Sequence, residues 1–307
     1  MSSTNVGSMS RGVGAARPSQ RDRQVGCRAP QKRARRGAVG AGITLYLVTF
    51  VVVLPLLWIV LLSFESNSHI LSDPFSLSNL NLANYRNVLS TLDLLLLYKN
   101  TLVIVVCSVL LVVVAAFMLS YALTRMTFRH PVVRSALRMF FLVGLAVPVY
   151  ILLFPVYRLD ILFHLFGTYA SLIVPYVAVQ ISFDTLLFTG FLASFPIEIE
   201  HAAFVDGCEL YSLLRHVVAP MMRPALVTVV IFNVLYAWNE FPFAVTLIQK
   251  ASLTTVALGV SEFQGEYLVN YGAMMAAATL VLIPQLTFYA LFQKKVVAGM
   301  TLGAVTG

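Results

Sequence analysis

Glu198-Ile-Glu-His-Ala-Ala-Phe-Val-Asp-Gly-Cys-Glu-Leu-Tyr-Ser-Leu-Leu-Arg-His-Val-Val-Ala-Pro220 is a polar segment set between long apolar runs. Asp206 followed three residues later by Glu209 fits a capping box, in which each end satisfies an orphaned backbone N–H. The pattern predicts a short helix starting near Gly207. Leu210, Leu213, Leu214, Val217 and Val218 recur at helical spacing and share one face, with Tyr211, Ser212, Arg215 and His216 on or beside the other. Such a helix is amphipathic, and Pro220 is expected to limit it.

Outward from this segment the chain is strongly apolar. Of its 307 residues, 59% are hydrophobic and 11% charged, outside the range of ordinary soluble domains. A bilayer core about 30 Å thick needs about 20 apolar residues per helix. Six stretches reach that length, near 40–63, 99–124, 136–157, 168–191, 225–248 and 270–292. The expected fold is therefore all-α: a polytopic membrane protein of six transmembrane helices. Residues 1–39, rich in Ser, Gly, Ala and Arg, lack the apolar content to form a core and are expected to be a disordered basic tail. Residues 40–293 would form the transmembrane domain, with the polar loop at 196–220, and residues 294–307 a C-terminal tail.

Basic residues orient the chain. With six spans, one side receives seventeen Lys and Arg: nine in the N-terminal tail, then Arg125, Arg129, Arg134, Arg138, Arg215, Arg223, Lys294 and Lys295. The other side receives Arg86, Lys99, Arg158 and Lys250. The positive-inside rule places both termini and the 196–220 loop in the cytoplasm. The net charge of +8 is then topological. Because the basic residues flank apolar spans instead of interleaving with stacking aromatics, a nucleic-acid partner is not expected. Contact of the tail with anionic lipid is an open alternative to a simple orientation signal.

Chemistry-bearing patterns are few. None of the five lysines follows a glycine, so the chain offers no P-loop for ATP. Cys27, Cys107 and Cys208 are dispersed, and the five histidines form no HExxH or other metal-ligand spacing. No catalytic residue, metal or bound cofactor is expected. Acidic residues inside spans reduce to Asp184, toward the cytoplasmic end of the fourth, and Glu240, toward the outer end of the fifth. An ion-driven secondary transporter or channel would use such groups, and this is the alternative reading of the chain.

Particular residues carry a resemblance. His201-Ala-Ala-Phe-Val-Asp-Gly-Cys, followed by Pro220 and Pro224, resembles the EAA loop of permease subunits in binding-protein-dependent ABC importers. Asn84-Tyr-Arg-Asn-Val-Leu, Ala237-Trp-Asn-Glu-Phe and Gly299-Met-Thr-Leu-Gly-Ala-Val-Thr-Gly307 are similar to the carbohydrate-uptake subfamily, in particular its shorter, maltose-type permease. The resemblance implies a bacterial cytoplasmic-membrane subunit that imports a sugar or oligosaccharide. It would work with a second homologous permease, two ATPase subunits that use ATP and Mg, and an extracytoplasmic solute-binding protein. Ala202, Ala203, Asp206 and Gly207 would lie in a coupling helix docked on the ATPase, with Glu209 beside them. His201 occupies the motif's glutamate position with Glu200 immediately before it, so the ATPase contact made there would come from Glu200 as a substitute, from His201 as a neutral contact, or with a co-adapted partner.

A sugar path needs hydrogen-bonding groups and flat aromatic faces. Asn233, Tyr236, Trp238, Asn239 and Glu240 supply them on the fifth span, and Asn233, Tyr236 and Glu240 share a helical face. Interhelical polar packing is the alternative role for these residues. Asn100, Gln180 and Asp184 are further candidates. The glycines of the C-terminal tail suit a non-helical segment. By resemblance, Gly303 to Gly307 would reach between the ATPase subunits, the alternative being a frayed end.

Overall fold

The computed structural model describes residues 30–76, 80–265 and 268–304. Its contacts divide the chain into two units between Leu57 and Trp58. The first, from Pro30, is one helical stretch, the main portion of α1 (Pro30–Leu62), with apolar side chains exposed from Ile43 to Leu57. The helix begins ten residues before the expected boundary at 40, with Pro30 in the first helical position that proline tolerates. Residues 1–29 of the expected tail lie outside the described residues.

The second unit is all helix and connection, with no strand among the described residues and one isolated bridge between Gln264 and Val269. After the end of α1 come α2 (Asn67–Ser72), α3 (Ala83–Thr91), α4 (Leu94–Arg125), α5 (Pro131–Ala146), a 3-10 turn at Val149–Leu152, and α6 (Leu153–Leu162). Then follow α7 (Ala170–Ser194), α8 (Glu198–Val205), α9 (Leu210–Leu213), a π-helical turn at Leu214–Val218, and α10 (Ala219–Met221). The chain closes with α11 (Arg223–Asn239), α12 (Pro242–Leu247), α13 (Val256–Ser261) and α14 (Tyr271–Ala304). Gly42–Leu62, Leu94–Arg125, Ala170–Ser194 and Tyr271–Gln293 are each long and apolar enough to cross a bilayer.

The other two expected spans are bent pairs. The 136–157 stretch breaks at Val147, which is extended because Pro148 follows, and the two arms meet at 96°. The 225–248 stretch ends as a helix at Asn239, because Pro242 has no N–H for the carbonyl of Trp238. In front of α11, the segment Leu210–Met221 meets it at 80°.

α4 packs most extensively on α7. Ile104, Val105 and Val109 meet Leu172 and Tyr176 toward one end, and Ala116 and Tyr121 meet Phe188 and Leu192 toward the other. Polar side chains join elements across this apolar interior. Asn100 of α4 donates to Ser252 O and Thr254 O, both at 3.0 Å, and accepts from Tyr169 Oη at 2.6 Å. Asn84 of α3 donates to Ser63 O and Glu65 O at 2.9 and 2.7 Å, pinning the chain beyond α1. Pro284 inside α14 cannot supply the N–H that Leu280 O would normally accept, and Tyr98 Oη of α4 fills that role at 2.8 Å.

Candidate docking and transport site

The 198–220 segment folds differently from the capping-box expectation. α8 starts at Glu198 and stops at Asp206. Gly207 N–H bonds Phe204 O at 3.1 Å and Cys208 N–H bonds Ala203 O at 3.0 Å. These two bonds are a Schellman closure, with Gly207 at φ +84° in the left-handed region. Asp206 thus caps the C-terminus of one helix; it does not open the next. Glu209 precedes α9 without a side-chain capping bond. A glycine following an apolar helical run is the sequence signal for such an ending, and the Asp-x-x-Glu spacing overshadows it.

The second half keeps its expected face except at Leu210, which is exposed. Leu213 and Val218 are fully buried, Leu214 and Val217 half-buried, and Leu210, Tyr211, Arg215 and His216 exposed. Helical backbone continues through Pro220 to Met221, past the expected limit, by way of the widened turn at 214–218. A π turn ahead of Pro220 accommodates a residue that cannot make the ordinary i→i−4 bond. The break comes at Met222, and Pro224 opens α11.

Glu200 is the largest departure. As an ATPase-docking residue it should be exposed, yet it is 4% exposed. It accepts from Arg125 Nε at 2.7 Å and from Tyr121 Oη at 3.0 Å. Arg125 Nη2 donates to Leu192 O and Phe195 O, both at 2.9 Å, so one guanidinium ties the C-terminal end of α7 to α8 and α4. Opposite charges, planar donors and carbonyls of the last helical turn converge here. Counted in the sequence as a topological charge, Arg125 is the clamp of the loop. No local motif joins it to Glu200, because they stand 75 residues apart.

With Glu200 turned inward, the rest of the loop forms a coherent outer surface. His201, Ala202, Asp206, Gly207 and Glu209 are exposed, and Ala203 is half-buried against the Leu213–Val218 cluster. Ile199, Phe204, Val205 at 87% exposure, Leu210 and Tyr211 add apolar area to the same loop.

The fifth-span candidates separate into two groups. Asn233, Tyr236 and Glu240 do share a face, but it packs on α7. Asn233 donates to Asp184 Oδ2 at 2.7 Å, Tyr236 meets the Tyr176 ring edge-on at 5.9 Å, and Glu240 accepts from Tyr176 Oη at 2.7 Å. Glu240 also accepts the N–H groups of Phe243 and Ala244 at 2.8 and 3.2 Å, so it caps α12 where the expected helix breaks. Asn239 is exposed and bonds back to Leu235 O. Trp238 stacks on Tyr98 at 6.2 Å. Tyr236 Oη and Trp238 Nε1 are buried atoms without a hydrogen-bond partner among the described residues. Gln180 lines a cavity of about 580 Å³ between α5 and α7. Gly303 lies within α14, which runs on to Ala304 where a non-helical tail was expected; Gly307 lies outside the described residues.

Helices long and apolar enough to cross a bilayer, with a clamped amphipathic loop between two of them, define a polytopic membrane protein. Residues 113–302 match the family described as "Binding-protein-dependent transport system inner membrane component", and the chain belongs to that family. It is 33% identical to the "Putative ABC transporter permease protein ORF2" of Caldicellulosiruptor sp. (strain Rt8B.4), over 84% of this chain and 94% of that one. It is 31% identical to the "Diacetylchitobiose uptake system permease protein NgcG" of Streptomyces coelicolor, over 90% and 91%. The "Trehalose/maltose transport system permease protein MalG" of Thermococcus litoralis is 28% identical, over 85% and 94%. Among solved structures, a chain of "a bacterial ABC transporter involved in the import of the acidic polysaccharide alginate" shares the fold, with a TM-score of 0.72 at 18% identity, over 91% and 99%.

Proposed function

We propose that this chain is one of two homologous permease subunits of an ATP-driven importer for a sugar or oligosaccharide. It spans the bacterial cytoplasmic membrane six times with both termini in the cytoplasm. Two ATPase subunits use ATP and Mg on the cytoplasmic side, and an extracytoplasmic binding protein delivers the sugar. The sugar class is supported by the uptake systems named among its relatives.

The observation that carries the docking role is the outer surface of α8 and α9, where exposed apolar residues surround His201, Ala202, Asp206 and Gly207 while Glu200 anchors the inner side. A short helix pair in a partner's groove transmits a rigid-body shift to the helices attached to it. The motif's acidic contact would be replaced by His201, since Glu200 is bound to Arg125. At the other end, Tyr236 and Trp238 are the groups best suited to meet a sugar once the bundle opens, because each pairs an aromatic face with a buried polar atom that has no hydrogen-bond partner among the described residues. Asn233 and Glu240 hold the scaffold. A self-contained ion-driven transporter fits less well, because the chain belongs to the binding-protein-dependent family and both oxygens of Glu240 are engaged by protein donors; Asp184, held by Asn233 through Oδ2, keeps Oδ1 without a partner among the described residues.

Cross-linking from Cys208, which is half-buried within the loop, tests the reading. The expected result is a covalent product with an ATPase subunit whose yield changes when ATP is added. A transport-competent preparation containing no ATPase would refute it.

A further inference from the structure

A cleft of about 470 Å³ lies where α4 ends and α5 begins, lined by Thr127, Phe128, Pro131, Arg134, Ser135 and Arg138. Arg134 donates to Leu123 O and Thr124 O at 2.7 and 3.1 Å, and Arg138 to Leu123 O at 3.3 Å. These bonds fix both guanidinium groups at the cleft while leaving their Nη1 ends without an acceptor among the described residues. No Asp or Glu occurs between 126 and 159, and neither ion pair found among the described residues involves Arg129, Arg134 or Arg138. The cleft is thus an uncompensated cationic site with two hydroxyls beside it, at the end of a span where lipid headgroups lie.

The same face of α5 then turns apolar. Continuing from Arg138 at helical spacing come Leu142 and Leu145, 51% and 48% exposed. Leu145 also lines the apolar cavity of about 580 Å³ between α5 and α7. We propose that this face binds an anionic membrane phospholipid, its phosphate in the cleft against Arg134 and Arg138 and an acyl chain along Leu142 and Leu145. Arginine supplies paired donors to phosphate oxygens, and basic pockets between membrane helices suit anionic headgroups. The inference does not depend on which compartment this end of α4 faces.

Native mass spectrometry of the full chain, delipidated in detergent and titrated with phosphatidylglycerol or phosphatidylcholine, tests it. Phosphatidylglycerol should be retained about fivefold more strongly or better, and Arg138→Gln should lower that retention about fivefold. Arg138→Lys, which keeps the charge but loses the paired donors, should lower it less than Arg138→Gln does. Ser135→Glu, at an exposed position, is expected to expel the lipid without touching the carbonyl bonds, so a fold defect in Arg138→Gln cannot imitate the result. Equal retention of the two lipids, or retention indifferent to Ser135→Glu, would overturn the proposal. So would loss of phosphatidylglycerol to millimolar inorganic phosphate, which marks a free-anion site.

Discussion

Glu200 and His201 are adjacent in sequence and opposite in environment, and substitution should separate their roles. Glu200→Ala strips the buried partner from Arg125 and should lower the stability of the purified protein by about 3–5 kcal/mol, read as a fall in its thermal unfolding midpoint. His201→Ala removes an exposed side chain and should change stability by less than about 0.5 kcal/mol, while weakening ATP-coupled uptake. Equal destabilisation by the two would contradict the clamp. Gly207 offers a third contrast: nothing crowds the position of a Cβ there, yet its φ of +84° disfavours any L side chain. Gly207→Trp should therefore leave the protein in the membrane but uncouple ATP hydrolysis from uptake, and normal transport by that variant would remove the glycine from the docking surface.

Helix breaks and their repairs make a second group of expectations. Tyr98→Phe should cost about 0.6 kcal/mol by leaving Leu280 O without its donor, and almost nothing in a Pro284→Ala background, where the backbone N–H returns. Additive effects in that double-mutant cycle would mean that Tyr98 is not repairing the proline gap. Close approach of α3 and α14 makes Gly272 equally specific. A Cβ there would stand 2.6 Å from Asn84 Nδ2, whereas one at Gly190 meets nothing within 4 Å. Gly272→Ala should destabilise by about 1–3 kcal/mol and Gly190→Ala should not, a difference measurable by thermal unfolding in detergent. These details explain what sequence periodicity conveys and what it misses. Long apolar runs announce α4 and α7 because bilayer thickness dictates their length, but the same runs hide the breaks at Val147 and Glu240, where local proline chemistry overrides hydropathy. Asn233, Tyr236 and Glu240 share their expected face at the end of α11. Which element that face meets is a property of packing with α7, and no local spacing encodes it.

Across the protein, α4 joins two ends with different tasks. Asn100 holds the 252–254 connection at one end, and Arg125 holds α7 and α8 at the other. Positive-inside counting puts the Arg125 end in the cytoplasm. Membrane-impermeant alkylation of a Cys27→Ser variant checks that placement: Cys208 should react in inside-out vesicles and resist in intact cells, and Cys107, within α4, should react in neither. The reverse pattern would invert the topology. The all-helical character and the long apolar helices are legible in the sequence, since bilayer thickness sets their length. The clamp at the Arg125 end is not readable there, because its partners belong to segments far apart along the chain.

The 80° angle at Met222 turns the 210–221 segment into a crank on the shaft of α11. Its arm of twelve residues is about 18 Å long and the shaft of seventeen about 25 Å, at 1.5 Å per residue. By that leverage, a displacement of about 3 Å at the crank's tip swings the shaft by about 10° and carries its far end about 4 Å. Trp238 sits at that far end against Tyr98, so a rigid swing of the crank would be felt first as a change in how these two rings overlap.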